Sequence, residues 1–354
     1  MSKKFFGTDG IRGVANVKLT PELAFHVGLS AGRWLAGTDL PKRVVVGRDT
    51  RISGSMLGAA LASGFCSAGI NVRTLGVAPT GAISYIARCG DFGLGSVISA
   101  SHNPAPDNGI KLISHDGTKI SEAVEQAIEA ALFGGFESRP TGGAVGQISP
   151  AEDEIEGYMR YLEGIIPEGL AGMKIAVDGA NGAAFQLGYQ IFERLGATVV
   201  VTGDRPNGVN INADGGATKP HVIQQLTKDS GCDIGVAYDG DADRAVFSDN
   251  LGRLINGDRT MAIWCAYWSD KLQPKVVVGT VMSNGGFAAH MHDSGIELTR
   301  VNVGDKYVSA KLNEIGGKVG GEQSGHIIFP ERGPTGDGLI TALELIRAIK
   351  LSGR

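Results

Sequence analysis

Three stretches of this chain repeat one arrangement: a β-branched run, a turn, a helix-like stretch, a glycine and a second β-branched run. Arg43-Val44-Val45-Val46-Gly47 leads to Ala68-Gly69-Ile70-Asn71-Val72. Lys174-Ile175-Ala176-Val177-Asp178-Gly179 leads to Leu195-Gly196-Ala197-Thr198-Val199, and Lys275-Val276-Val277-Val278-Gly279 to Ser294-Gly295-Ile296-Glu297-Leu298. From the first strand residue to the second glycine the spacings are 26, 22 and 20 residues (43 to 69, 174 to 196, 275 to 295). Apolar runs without polar alternation bury both faces; separated by helices, they argue parallel strands in βαβ units. The glycine after each helix suits the left-handed C′ position. The copies are offset by 131 and then 101 residues, which does not suit a solenoid. The expected fold class is α/β, three tandem doubly wound mixed-sheet domains of similar topology. The alternative is a chance likeness that any α/β chain shows.

The expected domains are 1–153, 154–253 and 254–354. Between the first two, Gly134-Gly135 through Pro150 is rich in Gly, Ser and Pro and lacks apolar periodicity, as a surface connection does. Glu152 to Leu162 reads as a helix entering the second domain, Asn250-Leu251-Gly252-Arg253 as the next break, and Gly338 to Lys350 as a closing helix. The 54 glycines are about twice the usual ~7% share, yet they are not periodic at three and Pro numbers only 13, which excludes collagen. The net charge, 33 − 37 = −4, gives no basic footprint for nucleic acid. No run approaches the ~18 apolar residues of a membrane span. Cys66, Cys89, Cys232 and Cys265 make no CxxC and no zinc spacing, so buried free thiols in a reducing cytoplasm are expected.

Four strings carry candidate chemistry. In Tyr238-Asp239-Gly240-Asp241-Ala242-Asp243-Arg244, three carboxylates at i, i+2 and i+4 on extended backbone point to one side. Together they repel unless a cation neutralises them, and oxygen-only ligands favour Mg²⁺ over zinc. An EF-hand is excluded, because Arg244 stands at its sixth position and Asn250 at its twelfth. Arg244 suits a neighbouring anion; a solvated acidic hairpin tip is the other reading. Ser99-Ala100-Ser101-His102-Asn103-Pro104 follows the strand-like Gly95-Ser96-Val97-Ile98 and precedes Asp107-Asn108-Gly109-Ile110-Lys111. Ser101 thus lies on a loop at a strand end, where α/β folds place function, or is a plain turn residue. In Gly320-Gly321-Glu322-Gln323-Ser324-Gly325-His326, Glu322 and Ser324 can bind hydroxyls and His326 can titrate near neutrality; a polar turn is the alternative. In Phe6-Gly7-Thr8-Asp9-Gly10-Ile11-Arg12-Gly13, Arg12 can reach an anion, or the segment is a tight N-terminal turn.

Taken in chain order, Phe6–Gly13, Ser99–Pro104, Tyr238–Arg244 and Gly320–His326, the four strings resemble those of the α-D-phosphohexomutase superfamily. The Glu-Gln-Ser of the Gly320–His326 string resembles the members that act on glucosamine phosphates; relatives acting on glucose and mannose phosphates more often have Met in the middle. The resemblance implies three doubly wound α/β domains and a small fourth around a cleft. It implies that Ser101 carries a phosphoryl group, and that Asp239, Asp241 and Asp243 hold Mg²⁺ together with a phosphoserine oxygen from Ser101. Lys111 and His326 match candidates for proton transfer, Arg12 and Arg244 match residues holding charge around the phosphoserine, and Glu322 and Ser324 match readers of sugar hydroxyls. The implied activity interconverts glucosamine 6-phosphate and glucosamine 1-phosphate through glucosamine 1,6-bisphosphate, an activator as well as an intermediate, and supplies amino sugar for cell-wall precursors. A phosphosugar is the expected partner, with neither nucleic acid nor membrane, and a homodimer through the first domain is possible in such a family.

Two features depart from the pattern. The family's fourth domain carries a phosphate-anchoring loop resembling Arg-x-Ser-Gly-Thr-Glu-Pro. No such string occurs here, and the sequence stops 28 residues after His326 (354 − 326). Loss of remote binding energy costs orientation at the reacting end, so impaired turnover is expected of this polypeptide. Ala105-Pro106 also replaces an aromatic residue frequent in relatives. Two other functions remain open: a Mg²⁺-dependent phosphatase or kinase, though no Walker A string is present, and a sugar-phosphate binding protein without turnover.

Overall fold

A computed structural model of the chain describes residues 5–7, 9–132, 134 and 138–353; Thr8 of the Phe6–Gly13 string and Gly135 of the connection lie outside them. The backbone forms two compact units. The first comprises Met1–Tyr158 with Pro206–Ile211, the second Met159–Arg205 with Asn212–Arg354.

The first unit runs β1 (Ile11–Val14), α1 (Pro21–Ala36), β2 (Arg43–Arg48), α2 (Ser53–Ser67), β3 (Asn71–Val77), α3 (Thr80–Cys89), β4 (Leu94–Ile98), β5 (Asp107–Ser114), α4 (Glu122–Ala131) and β6 (Ile148–Pro150). Its sheet has the order β1-β5-β4-β2-β3-β6. The first sequence repeat is β2-α2-β3, a parallel pair with Val44 opposite Val72. Thr20 caps α1, its hydroxyl accepting from Leu23 N–H at 3.3 Å with Pro21 in the first turn. A Cβ at Gly28 of α1 would stand 2.1 Å from the Leu61 carbonyl oxygen, and one at Gly64 of α2 equally close to that of Phe25. These two glycines let the helix backbones touch. The connection 134–150 is not wholly irregular: β6 adds an edge strand along β3, too short to give a periodic signal.

The second repeat and the third both fall in the second unit, which α5 (Glu152–Glu163) enters. There follow β7 (Lys174–Asp178), α6 (Leu187–Arg194), β8 (Thr198–Thr202), α7 (His221–Asp229), β9 (Ile234–Tyr238), β10 (Ala245–Asp249), β11 (Leu254–Ile255), α8 (Gly257–Trp268), β12 (Val276–Thr280), α9 (Gly285–Asp293), β13 (Glu297–Val301), α10 (Asp305–Ile315), β14 (Gly320–Gly321), β15 (Ile327–Ile328) and α11 (Gly338–Ser352). The sheets have the orders β11-β10-β9-β7-β8 and β13-β12-β14-β15. As expected from the repeats, β7 with β8 and β12 with β13 are parallel pairs. Gly69, Gly196 and Gly295 follow their helices with φ of 80°, 88° and 66°, so the glycines end the helices as the sequence predicts. With their mixed sheets, the segments form three α/β domains of the expected class. No described helix is long and apolar enough to cross a membrane.

All four cysteines are free. Cys66, Cys232 and Cys265 are buried as expected, but Cys89, the last residue of α3, is exposed.

Candidate active site

Ser101, 2% exposed, stands just past β4 with φ of 51°. A residue with a Cβ costs on the order of 1–3 kcal/mol in such a conformation, which persists only where its surroundings dictate it. Here they form a closed circuit. Ser101 N–H donates to Ser99 Oγ at 2.9 Å, and the Ser99 hydroxyl donates to Asp49 Oδ2 at 2.5 Å. Asp49 is paired with Arg51, Nε to Oδ2 at 2.8 Å, both side chains wholly buried. Arg51 Nη2 returns to the loop, donating to the carbonyls of Ser101 at 2.9 Å and Asn103 at 2.8 Å; Nη1 donates to those of Pro104 at 2.5 Å and Asp107 at 2.9 Å. Burial pushes the Asp49 carboxyl up, against the pull of the guanidinium and the Ser99 hydroxyl. Ser101 Oγ lies 3.4 Å from His102 Nδ1.

Arg12 on β1 stands opposite Gly109 on β5. Lys111 is two residues further along β5, so both cations belong to one face of the sheet. A Cβ at Gly109 would meet the Ser99 carbonyl oxygen at 2.5 Å and Arg12 Cγ at 3.1 Å; the bare backbone there lets Arg12 lie across the strand beside Ser99. Arg12 Nη2 is 3.4 Å from Asp9 Oδ2.

In the second unit the acidic string joins β9 to β10. It is not extended, as its spacing suggested. Ala242 N–H donates to the Asp239 carbonyl at 3.0 Å and Ala242 is left-handed at φ 56°, so a tight turn, rather than strand alternation, gathers the carboxylates. One oxygen from each of Asp239, Asp241 and Asp243 lies within 4.8 Å of the others. Asp239 and Asp241 are buried. Three carboxylates so close, two of them buried and all of them oxygen donors, fit a hard divalent cation such as Mg²⁺. Arg244 Nε is 3.8 Å from Asp243 Oδ1. Burial works against the Arg244 charge, but Asp243, Asp239, Asp241 and Glu322 outweigh it and hold its pKa up.

The loop between β14 and β15 meets this turn. Ala245 N–H donates to the Gly325 carbonyl at 3.1 Å, and Gly257 N–H to that of Gln323 at 3.0 Å. Glu322 Oε1 accepts from Gly304 N–H at 3.0 Å, and Ser324 Oγ is 3.5 Å from Glu322 Oε2. His326 is buried, its Nδ1 3.6 Å from Asp243 Oδ2. Burial opposes the imidazolium, yet Asp243, and behind it Asp305, outweigh burial and push His326 up to about 9.

A Cβ at Gly336 would fall 2.4 Å from His326 Nε2 and within 2.7 Å of two ring carbons. Gly336, having no side chain, therefore leaves the room that the imidazole fills. Replacing it with alanine is expected to cost about 1–3 kcal/mol by overpacking, read as a lowered denaturant midpoint. A midpoint within about 0.5 kcal/mol of wild type would show that the ring simply swings aside.

The structure thus gathers the predicted residues in two sets: Arg12, Ser101 and Lys111 in the first unit; Asp239, Asp241, Asp243, Arg244, Glu322, Ser324 and His326 in the second. It adds Asp49, Arg51 and Gly336, which the sequence reading passed over. A signal existed for the pair: Asp49-Thr50-Arg51 follows the βαβ strand β2 at its C-terminal end, the same kind of position that drew attention to Ser101. Gly336 has no comparable signal among 54 glycines.

Comparison with known proteins identifies the domains. Family models described as phosphoglucomutase/phosphomannomutase alpha/beta/alpha domains I, II and III match residues 3–138, 156–252 and 256–354. The chain is 47% identical to a phosphoglucosamine mutase of Desulforamulus reducens, over 99% of this chain and 80% of that one. It is 43% identical to the phosphoglucosamine mutase of Geobacillus thermodenitrificans, over 99% and 79%. Among solved structures, a phosphoglucomutase/phosphomannomutase family protein from Burkholderia thailandensis superposes with a TM-score of 0.81 at 28% identity, covering all of this chain and 80% of that one.

Proposed function

The chain belongs to the phosphoglucomutase/phosphomannomutase family and is a phosphosugar mutase, an isomerase; from that premise we propose that it interconverts glucosamine 6-phosphate and glucosamine 1-phosphate, with Ser101 carrying the phosphoryl group. The observation that carries the reading is the meeting of the acidic turn with the 322–326 loop, Asp243 against His326 at 3.6 Å. It sets metal-type ligands beside hydroxyl-reading side chains. The identity of 43–47% to phosphoglucosamine mutases supports the amino sugar.

Ser Oγ is a poor nucleophile without a base, so Ser101 enters the cycle already phosphorylated. Sugar O1 attacks the phosphorus; the P–O1 bond forms as the P–Oγ bond breaks, and the O1 proton leaves to a base; Lys111 and His326 are the candidates for proton transfer, His326 as an acid because Asp243 keeps it protonated. The resulting 1,6-bisphosphate turns over. Ser101 Oγ then takes the phosphoryl group from O6, its proton going to O6 in exchange. Arg12 and Arg244 hold anionic oxygens, while Glu322 and Ser324 fix the sugar through its hydroxyls. A divalent cation held by Asp239, Asp241 and Asp243 would supply neutralisation of the charge on the transferring group. We place the enzyme in the cytoplasm, in amino-sugar supply for cell-wall precursors, with association through the first domain.

Coupled assays on glucosamine, glucose and mannose 6-phosphates test the sugar. An amino and a hydroxyl group at C2 differ by one hydrogen-bonding group, so kcat/KM is expected to favour glucosamine about 10–100-fold, the range of one modest contact. Equal values would overturn the amino-sugar reading. A second expectation concerns the remote phosphate. These 354 residues contain no Arg-x-Ser-Gly-Thr-Glu-Pro string. Fusing them to the fourth domain of a relative should raise turnover at least ~100-fold, the effect of misplacing a substrate by about an ångström; equal turnover would refute it.

A further inference from the structure

Arg51 heads the wholly buried side chains by volume. A guanidinium taken out of water costs several kcal/mol unless its hydrogen bonds are made good. All five of its N–H donors are used: Nε on Asp49, and the other four on carbonyls of a single seven-residue loop, 101–107. With Asp49 as its counter-ion the pair carries no net charge. Its effect on the loop therefore lies in which way it turns the peptide groups.

In a trans peptide the C=O and the following N–H point in opposite directions. The one cis peptide among the described residues is Gln273–Pro274, so the loop is trans throughout. The Ser101 carbonyl shares its peptide with His102 N–H, and the Pro104 carbonyl shares its peptide with Ala105 N–H. Both carbonyls face the buried guanidinium, so both N–H groups face away from it. His102 is exposed and Ala105 half-buried, while Arg51 is wholly interior; away from Arg51 is toward solvent. A carbonyl aimed at a cation also polarises its own peptide, which strengthens the N–H as a donor. Outward N–H groups around a left-handed residue make a concavity of the kind that binds anions, and here Ser101, the left-handed residue, heads it.

We propose that Arg51 is the positioning residue of the Ser101 loop, turning the His102 and Ala105 amides outward as a seat for a phosphoryl group on Ser101. The proposal rests on the reading of Ser101 as phosphoryl carrier. Arg51 touches neither sugar nor phosphate in this account; it acts through backbone.

The test loads the full chain from glucosamine 1,6-bisphosphate. A sugar O–P bond breaks, the Ser101 Oγ–P bond forms, and the serine proton leaves with the sugar oxygen; intact mass rises by ~80 Da. Wild type is expected to load and Ser101→Ala to stay unloaded. Arg51→Lys keeps charge and approximate size but loses the five-donor fork, and should load at least ~100-fold more slowly. In ¹⁵N–¹H spectra of wild type, loading should move the His102 and Ala105 amide protons downfield, and in loaded Arg51→Lys both shifts should be smaller, a difference that a merely structural Arg51 would not produce. Arg51→Lys loading at the wild-type rate while Ser101→Ala stays unloaded overturns the proposal and leaves the phosphoserine reading intact. Loading of Ser101→Ala, or none of wild type, overturns both. Should Arg51→Lys lack a cooperative melting transition, the wild-type amide shifts decide, and unmoved resonances overturn the proposal.

Discussion

Ser101→Ala is expected to lower turnover by about four orders of magnitude or more, the scale seen when an enzyme loses its covalent nucleophile, while leaving the fold in place. The two halves of that expectation rest on different features. The chemical half follows from the cycle: without Oγ there is no acceptor for the phosphoryl group from O6 and no donor to O1. The structural half follows from the circuit under the residue. Ser101 is held through its backbone, its N–H on Ser99 and its carbonyl on Arg51, and alanine keeps both groups. Stability should change by no more than about 1 kcal/mol, as for substitutions that create no large cavity. Single-turnover phosphoryl transfer and thermal melting, measured on the same preparation, check the two together. Activity near wild type would remove Ser101 from the chemistry. A lost melting transition would make it a structural residue instead.

The second large effect has opposite signs with and without metal. Asp239, Asp241 and Asp243 bring an oxygen each within 4.8 Å of the others, and like charges at that range destabilise one another. Asp241→Asn removes one of the three. Without Mg²⁺ it is expected to be at least as stable as wild type, by up to about 1 kcal/mol, or roughly 2–4 °C in a unit of this size. With Mg²⁺ the order reverses. A ligand at 100 times its Kd stabilises by ~2.7 kcal/mol; wild type should gain that and Asp241→Asn almost nothing at the same concentration. Turnover should fall about 10³-fold in the variant, and similarly when wild type is stripped with chelator. If metal-free Asp241→Asn is instead destabilised by 2 kcal/mol or more, the triad is a polar network satisfied by Arg244 and His326, and the cation assignment fails.

Much of this was legible in the sequence because its signals are local. Each βαβ repeat needs only an apolar run, a helix length and a glycine, and Gly69, Gly196 and Gly295 all end helices as that pattern requires. The acidic string announced its residues but not its backbone: spacing by twos is shared by a strand and by a turn with a left-handed Ala242. What stayed hidden is non-local. Arg51 looks like any charged residue until four carbonyls from 50 or more residues downstream close around it. Gly336 matters only because the His326 ring fills the space where a side chain would stand. Cysteine is usually buried, which is the expectation Cys89 breaks; its place as the last residue of α3 leaves it outside.

That last exception gives the molecule a set of chemical clocks. Only the thiolate attacks an alkylating reagent. Cys89 is open to it at once, whereas burial pushes Cys66 and Cys232 up and Cys265 up to about 12. Each slow thiol can be labelled only when the structure over it opens. Cys66 belongs to the first unit, Cys232 and Cys265 to the second, so pulsed alkylation read by mass would time the breathing of each unit separately, in one tube and without a single engineered residue.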